Sequence, residues 1–224
     1  MAFDGDLTVV PEERFQTFLG AMYGDIPADL AELETTALAD DVPIVRRDMQ
    51  HFLMWVLKTY RPKKILELGT AVGFSAILMA RTLPDVSILT VENWPPRIEA
   101  AKANFASFSE EGKRITLVES DALALLESLP SDEKYDMVFL DAAKGQYPQY
   151  LPEIMRVLRP GGLLVTDNIL QDGDILESHY AVRRRDRTIH KRMREYLHTL
   201  THDERLSTAI VPVGDGVALT TLLD

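Results

Sequence analysis

Two acids, a lysine and an asparagine follow two apolar segments of this sequence. Asp141 and Lys144 come after "YDMVFL", and Asp167 and Asn168 come at the end of "LLVTDN". Ligands of open parallel sheets bind beyond the carboxyl ends of the strands, so two neighbouring strands here would bring these side chains together. Two carboxylates and an amide offer only oxygen ligands, which suit a hard cation such as Mg²⁺, Ca²⁺ or Mn²⁺. Either acid alone would be better explained as a loop cap, but the pair at two strand ends favours a metal site.

A glycine-rich turn follows an earlier apolar segment. The stretch "ELGTAVGFS" places Glu67, Gly69 and Gly73 in the pattern E-x-G-x-x-x-G between a predicted strand and a predicted helix. Glycines at such a point allow a tight turn and let the backbone approach a ligand closely. The pattern is not the dinucleotide pattern G-x-G-x-x-G, and it has no phosphate-binding lysine. An ordinary strand-to-helix turn is the alternative explanation.

Two further strand ends carry residues that fit a nucleoside. Glu92 ends the second predicted strand, about 20 residues beyond the glycines, where a carboxylate accepts hydrogen bonds from ribose hydroxyls. Asp121 and Ala122 follow the third strand, where an adenine could be held. The alternatives are a solvated carboxylate for Glu92 and a helix N-cap for Asp121.

Alternating strands and helices would position these residues. Short apolar strands separated by helices indicate a parallel sheet covered on both faces. The predicted strands are "KILELG", "VSILTVE", "ITLVES", "YDMVFLD" and "LLVTDN", with helices near 74–83, 96–109, 121–129 and 147–158. Three helices are predicted before them, near 11–23, 27–41 and 45–60, and a polar helix after them, near 176–201. The Gly-Gly pair of "LRPGGLLVTD" is predicted to end a helix and turn into the fifth strand, and Gly214–Gly216 predicts a closing hairpin.

Composition bounds the class of protein. The 224 residues suffice for one α/β domain, which we predict to span 1–224 with a helical cap at 1–60 and a catalytic core at 61–224. Cysteine is absent, which excludes thiolate chemistry and fits a reducing cytoplasm. The sequence predicts neither a signal peptide nor a membrane span. The net charge of −11 argues weakly against a nucleic-acid partner.

Four motifs together resemble a known family. The stretches "ILELGTAVGFSAILMA", "TVENWPPRIEAAKANF", "DMVFLDAAKGQY" and "LLVTDNIL" look like the metal-dependent class I O-methyltransferases that use S-adenosylmethionine, a group that includes catechol and caffeoyl-CoA O-methyltransferases. Within it, "VPIV", "DAAKGQYPQYL", "TDNIL" and "AIVPVGDG" look most like bacterial enzymes that methylate 5-hydroxyuridine at the tRNA wobble position to 5-methoxyuridine. A small catechol or a hydroxycinnamoyl-CoA thioester is the alternative acceptor.

The resemblance implies a fold and a set of roles. The fold is a doubly wound, mostly parallel seven-stranded sheet of Rossmann-like type, with a C-terminal antiparallel hairpin. Asp141, Asp167 and Asn168 would hold Mg²⁺, while Lys144 and Asp141 would act in catalysis. Lys144 would take the acceptor proton or stabilise the oxyanion, unless it is an exposed loop lysine. A cytoplasmic homodimer is expected. The expected cofactor-binding residues are Val45, Glu67, Gly69, Thr70, Gly73, Ser75, Glu92, Asp121, Ala122 and Asp141.

A basic stretch interrupts the acidic chain. The segment "RRRDRTIHKRMR" carries seven Arg or Lys residues against one Asp. On a helix, four of these cations would form one stripe suited to a phosphate backbone or to a coenzyme A thioester. A solvated helix face paired with carboxylates is an equally good explanation. The predicted tRNA-contacting residues are Arg184, Arg187, Lys191 and Arg194.

Two other classes of protein are alternatives to a methyltransferase. A nucleotide-dependent oxidoreductase would share the sheet, but Gly69 and Gly73 do not fit its glycine pattern. A binding module without activity would not need the set of Asp141, Lys144, Asp167 and Asn168.

Overall fold

A computed structural model describes residues 12–223 of the chain. Within this range, three helices precede the first strand, and strands then alternate with helices until a closing pair of strands. Part of the predicted helical cap, residues 1–11, lies outside the described residues. The helices are α1 (Glu12–Met22), α2 (Ala28–Ala39), α3 (Arg47–Tyr60), α4 (Phe74–Thr82), α5 (Pro95–Ser107), α6 (Ser109–Gly112), α7 (Ala122–Ser128), α8 (Tyr147–Val157) and α9 (Arg187–His202).

The strands form one seven-stranded sheet. They are β1 (Lys64–Leu68), β2 (Ser87–Glu92), β3 (Ile115–Glu119), β4 (Tyr135–Leu140), β5 (Leu158–Thr166), β6 (Leu206–Val211) and β7 (Val217–Leu222). Their order is β3-β2-β1-β4-β5-β7-β6, and the first five are parallel. The pairs β5–β7 and β6–β7 are antiparallel. The predicted doubly wound sheet with its antiparallel hairpin is confirmed, and β4 and β5 are neighbours as the metal-site prediction required.

Hydrophobic clusters cover both faces of the sheet. On one face the cap helices α2 and α3 pack with α4 against β1 through residues such as Leu30, Leu53, Ile65 and Ile77. On the other, α7, α8 and α9 pack through buried residues that include the tyrosines Tyr147, Tyr150 and Tyr196. Burial on both faces explains why β1 and β4 are almost continuously apolar in sequence.

Two predicted features of the chain are wrong in their local detail. The polar helix does not begin near residue 176, because a 3-10 turn covers Asp174–Leu176 and α9 begins only at Arg187. The Gly-Gly pair does not lie between a helix and a strand. Strand β5 starts at Leu158 directly after α8, and the pair lies inside it, where the register with β4 shifts between Tyr135 and Met137. Such a bulge accommodates glycine readily.

Among the helices of the described residues, none combines the length and the apolar character that a bilayer crossing requires.

Candidate active site

The two glycines after β1 serve different purposes. Gly69 has φ +94°, and a Cβ there would come within 2.3 Å of the Asp141 carbonyl oxygen. Gly73, with φ +89°, caps α4, and a Cβ there would come within 2.5 Å of the Phe105 ring. Gly69 therefore lets the ends of β1 and β4 approach each other beside a cavity that it lines, whereas Gly73 is required by helix packing. Gly73 does not line that cavity, although we predicted it to bind the cofactor.

Glu67 lies entirely below the surface, at the end of β1. The Ser75 hydroxyl donates to Glu67 Oε1 at 2.6 Å, and the Thr90 hydroxyl donates to its other oxygen. Burial raises the pKa of Glu67, although these hydroxyls oppose the shift. The carboxyl thus orients Ser75, which does line the cavity, while Glu67 itself does not reach the cavity surface.

Glu92 is held by three backbone amides. Ala71 N–H donates to Oε2 at 3.0 Å, while Asn93 and Trp94 N–H donate to Oε1 at 2.9 and 3.0 Å. Only 9% of the residue is exposed, and it lines the cavity. A solvated carboxylate is therefore ruled out. Because a carboxylate has about four acceptor positions, lone pairs remain for ligand hydroxyls.

Gly69, Ser75 and Glu92 border one cavity of about 430 Å³ at the carboxyl ends of β1, β2 and β4. Its volume lies within the range of small-molecule sites. Asp121 is also the N-cap of α7, since its carboxylate accepts from Leu123 and Ala124 N–H. The predicted residues that line the cavity are Val45, Gly69, Thr70, Ser75, Glu92, Asp121, Ala122, Asp141, Lys144 and Asn168.

Lys144 is bound on three sides. Its Nζ donates to Asp141 Oδ1 at 2.8 Å, to the Tyr147 hydroxyl at 3.0 Å and to the Asp167 carbonyl oxygen at 3.1 Å. Burial acts to lower the pKa of Lys144, but Tyr147 and Asp141 outweigh it and hold that pKa above its usual value. Lys144 is therefore a cation fixed between β4 and β5, and not an exposed loop lysine.

Asp167 and Asn168 lie beside this lysine. Asp167 is 1% exposed, and its Oδ1 accepts from Asn168 N–H at 2.8 Å. Burial raises the pKa of Asp167 to about 7, and the nearby charge of Asp141 adds to the effect. The buried carboxylate of Asp167 is thus kept close to the partly exposed carboxylate of Asp141, an arrangement that binding of a cation would relieve.

The oxygen set fits a metal only with the asparagine included. No three His, Cys, Asp or Glu side chains of residues 12–223 are grouped to hold a metal ion. The Asn168 amide, however, lies 3.0 and 3.2 Å from the two carboxylate oxygens of Asp167. When the Asn168 amide nitrogen faces Asp167, it donates hydrogen bonds to the carboxylate. When the amide oxygen faces Asp167 instead, it and the two carboxylate oxygens lie close together, and a cation bound between them would stabilise the three oxygens.

A second cavity, of about 330 Å³, shares Lys144 and Asn168 with the first. The candidate ligand Asp167 lines neither cavity, and no residue of the glycine turn after β1 lines the second one. Its wall includes four carboxylates, and Ile189 of α9 contributes apolar surface. These carboxylates belong to Asp172, Asp174, Asp186 and Asp215.

The predicted basic stripe is wrong as a single helical feature. Arg184 precedes α9, so it does not lie on the helix. Arg187 donates to the carbonyls of Val182 and Tyr180, and Arg194 donates to that of Ile175. Lys191 lies 3.6 Å from Glu195. Two of the four cations therefore hold the loop before α9. Arg183, Arg184 and Arg185 are exposed before the helix, and Lys191, Arg192 and Arg194 are exposed on it.

Sequence reasoning missed several residues of the first cavity. Arg97 lies over the Trp94 ring at 5.2 Å, and the Tyr150 hydroxyl donates to Gln146 at 2.6 Å. Arg97, Tyr150 and Gln146 line the cavity, from α5, from α8 and from the turn before α8. They lie within the quoted stretches "TVENWPPRIEAAKANF" and "DAAKGQYPQYL". The sequence does not indicate which side chains of these stretches reach the cavity, because that depends on the packing of helices on the sheet.

Comparison with known proteins adds independent findings. A family model described as O-methyltransferase matches residues 25–223. Caffeoyl-CoA O-methyltransferase of Stellaria longipes is 30% identical over 171 residues, covering 74% of this chain and 70% of that protein. Catechol O-methyltransferase of Niastella koreensis is 32% identical over 130 residues, covering 57% of this chain and 59% of that one. The SAH-bound structure of the Podospora anserina methyltransferase PaMTH1 superposes with a TM-score of 0.84 at 25% identity, covering 98% of this chain and all of that one.

Proposed function

The chain belongs to the O-methyltransferase family, and on that premise we propose that it methylates a hydroxyl of a small phenolic acceptor with S-adenosylmethionine as the methyl donor. The observation that carries this proposal is the arrangement of two cavities around Lys144 and Asn168. In this proposal the larger cavity holds the nucleoside part of the methyl donor, beside Glu92 and Asp121, and the smaller cavity takes the acceptor.

The first cavity offers the contacts that the methyl donor needs. The Glu92 carboxylate is available to the ribose hydroxyls, and the turn at Gly69 brings backbone close to the methionine part. Asp121 and Ala122 border the place of the adenine. A relative of the same fold is described as SAH-bound, which supports a ligand of this type here.

Asp141, Asp167 and Asn168 would hold a divalent cation, for which Mg²⁺, Mn²⁺ and Ca²⁺ are the candidates. Bound there, the cation would supply Lewis-acid chemistry that favours an ionised acceptor hydroxyl. The raised pKa of Asp167 means that protons compete with a cation for this site near neutral pH.

Lys144 stabilises the negative charge that develops on the acceptor oxygen. Asp141 and Tyr147 hold the pKa of Lys144 above its usual value, so the amine is protonated at neutral pH. While these contacts are present, Lys144 acts as a positive charge and not as the base. In the transfer itself, the acceptor oxygen forms a bond to the methyl carbon while the carbon–sulfur bond breaks. The sulfonium thereby becomes a neutral thioether, and the hydroxyl proton leaves to solvent. Holding oxygen and methyl in line accounts for much of the rate.

The second cavity favours a small acceptor without phosphate groups. Asp172, Asp174 and Asp186 would repel a phosphate that entered it, and the volume of about 330 Å³ suits one or two aromatic rings. Two relatives are named for caffeoyl-CoA and for catechol, which both carry vicinal aromatic hydroxyls. We therefore infer an acceptor of catechol type.

The 5-hydroxyuridine of tRNA is a second candidate acceptor, supported by the exposed arginines Arg183, Arg184 and Arg185 near the second cavity. This acceptor stays a prediction, as do the homodimer and the cytoplasmic location. Sedimentation equilibrium measures the mass in solution and so tests the dimer.

One experiment tests the proposed function directly. The purified protein is incubated with methyl-labelled S-adenosylmethionine and with catechol, with caffeate or with tRNA that carries 5-hydroxyuridine, in the presence of Mg²⁺ or of excess EDTA. We expect label in the phenols with Mg²⁺ and at least a hundredfold less with EDTA. Label in tRNA alone would contradict the small acceptor, and full activity in EDTA would contradict the metal.

Asp141→Ala and Lys144→Met separate the two roles at this site. We expect Asp141→Ala to abolish the metal-dependent transfer while S-adenosylmethionine still binds in calorimetry, because Glu92 and the glycine turn are left in place. Lys144→Met should lower kcat strongly and change the acceptor KM little, because the charge of Lys144 acts mainly on the oxyanion that develops in the transition state. An unchanged kcat would remove Lys144 from the mechanism.

A further inference from the structure

The turn after β5, residues 168–173, has an unfavourable backbone. Asn168, Gln171 and Asp172 have φ of 55°, 52° and 53°, and Gly173 follows with φ 91°. Left-handed backbone is disfavoured for residues with a side chain, so contacts from elsewhere must hold this turn in place. The turn carries Asn168, the candidate metal ligand.

The hairpin between β6 and β7 supplies those contacts. Ile169 N–H donates to the Gly216 carbonyl at 3.1 Å, and Leu170 N–H donates to that of Asp215 at 2.9 Å. Asp172 N–H donates to both carboxylate oxygens of Asp215, at 2.9 and 3.0 Å. A Cβ on Gly216 would come within 2.5 Å of Leu170, so the hairpin and the turn are in close contact.

The hairpin is itself anchored to the helical cap. Gly214 N–H donates to Asp48 Oδ2 of α3 at 2.8 Å. Asp48 and Asp215 are both buried, with 5% and 9% of each residue exposed. A continuous set of hydrogen bonds thus joins α3, the hairpin and the turn that carries Asn168.

We propose that Asp215 is a positioning residue for the metal ligands. By accepting the hydrogen bond from Asp172 N–H, Asp215 stabilises the left-handed turn. This turn then holds the Asn168 amide in place beside Asp167. This inference rests on the metal-dependent reaction proposed above. It assigns Asp215 a role that is distinct from its place in the wall of the second cavity.

The chain offers a comparison carboxylate that also accepts from two backbone amides, although it pairs with Arg159 as well. Asp136 accepts from Lys63 and Lys64 N–H at 2.8 and 2.9 Å, at the opposite end of the strands. Asp136→Asn therefore makes the same change as Asp215→Asn, but far from the site. Asp174→Asn removes a carboxylate from the wall of the second cavity and controls for the change in charge.

The test is calorimetric titration of the full chain with Mn²⁺, and separately with S-adenosylmethionine. We expect Asp215→Ala to weaken Mn²⁺ binding 10–100-fold, the usual effect of removing a residue that orients metal ligands. Asp215→Asn should weaken it less, because the amide oxygen still accepts from Asp172 N–H. Both should bind S-adenosylmethionine within about twofold of wild type, and Asp136→Asn and Asp174→Asn should keep most of the Mn²⁺ affinity.

The outcomes separate the two proposals. Wild type that binds no divalent cation would overturn the metal-dependent function itself. Wild type that binds Mn²⁺, with Asp215→Ala binding it as tightly, would overturn the positioning role alone. If Asp215→Ala does not fold, Asp215→Asn decides in its place, and a loss of affinity in Asp174→Asn equal to that in Asp215→Asn would assign the effect to charge and overturn the role.

Discussion

At the scale of single residues, Glu92 joins the turn after β1 to the proposed ribose position. Its carboxylate accepts from Ala71, Asn93 and Trp94 N–H, so it is oriented before any ligand arrives. We expect Glu92→Gln to weaken S-adenosylmethionine binding by about 1–3 kcal/mol, because charge-assisted hydrogen bonds are removed. Isothermal titration calorimetry measures this directly.

Glu119 provides the control for Glu92. It ends β3 in register with Glu92 on the neighbouring strand, but it is exposed and pairs with Lys102. Glu119→Gln should leave the dissociation constant unchanged. Equal affinities of wild type and Glu92→Gln would mean that Glu92 only shapes the turn.

Glu67 makes stability depend on pH. Burial raises its folded-state pKa above the usual value of 4.5, so the unfolded chain releases this proton first as pH rises. The stability that the protonated carboxyl contributes is complete below 4.5 and is lost as pH rises through the folded pKa. Glu67→Gln cannot titrate. We therefore expect its free energy of unfolding, relative to wild type without ligand, to rise with pH from about 4 upward in urea denaturation. Parallel pH curves for the two proteins would contradict the raised pKa.

At the scale of elements, the turn after β1 depends on the absence of a side chain at Gly69. Gly69 and Gly173 have nearly the same φ, +94° and +91°, but a Cβ on Gly173 would meet nothing within 4 Å. Gly173→Ala should thus cost only the conformational term, about 1–2 kcal/mol. Gly69→Ala must also displace the Asp141 backbone, and we expect it to cost roughly 1–3 kcal/mol more. Urea denaturation of both variants gives the difference, and equal losses of stability would show that the end of β4 yields easily.

The elements that sequence predicted well are those whose burial pattern is local. Strands β1 and β4 are apolar because both faces are covered, and their order along the chain with helices between them is sufficient to predict a parallel sheet. The start of α9 was not predictable in the same way. Residues 177–186 are as polar as the helix, so their sequence pattern does not mark where the helix starts. Arg187 and Arg194 hold this segment by hydrogen bonds to the carbonyls of Val182 and Ile175, which a sequence pattern does not indicate.

The candidate site was predictable in its residue types but not in its support. Asp141, Asp167 and Asn168 follow adjacent strands, so the sheet alone brings them together. The part played by Asp215 depends on a hairpin that returns 43 residues later to contact Asp172. Contacts over such sequence separations arise from the fold as a whole, which is why the pattern Gly214–Gly216 indicated only a turn.

At the scale of the whole molecule, charge is unevenly distributed. The chain carries a net charge of −11, and carboxylates line the second cavity, yet Arg183, Arg184 and Arg185 are exposed together just before α9. A second basic group, Lys58, Arg61 and Lys63, borders a cavity that is separate from the two around the site. The two groups carry the same formal charge, three positive charges each, and so permit a comparison of two positions at equal charge.

The arginines before α9 should matter for tRNA but not for a small phenol. Replacing Arg183, Arg184 and Arg185 by serine should leave catechol methylation within about twofold of wild type from about 50 to 300 mM salt, because a neutral acceptor releases no counterions on binding. If tRNA is the acceptor, removing each cation that binds a phosphate should make the slope of log affinity against log salt shallower by about 0.7–0.9. The triple serine variant of Lys58, Arg61 and Lys63 should change neither activity. Suppose that methylation of tRNA by the wild type falls with salt, and that it falls less steeply only when Arg183, Arg184 and Arg185 are replaced by serine. This result would move the acceptor assignment from phenols to tRNA.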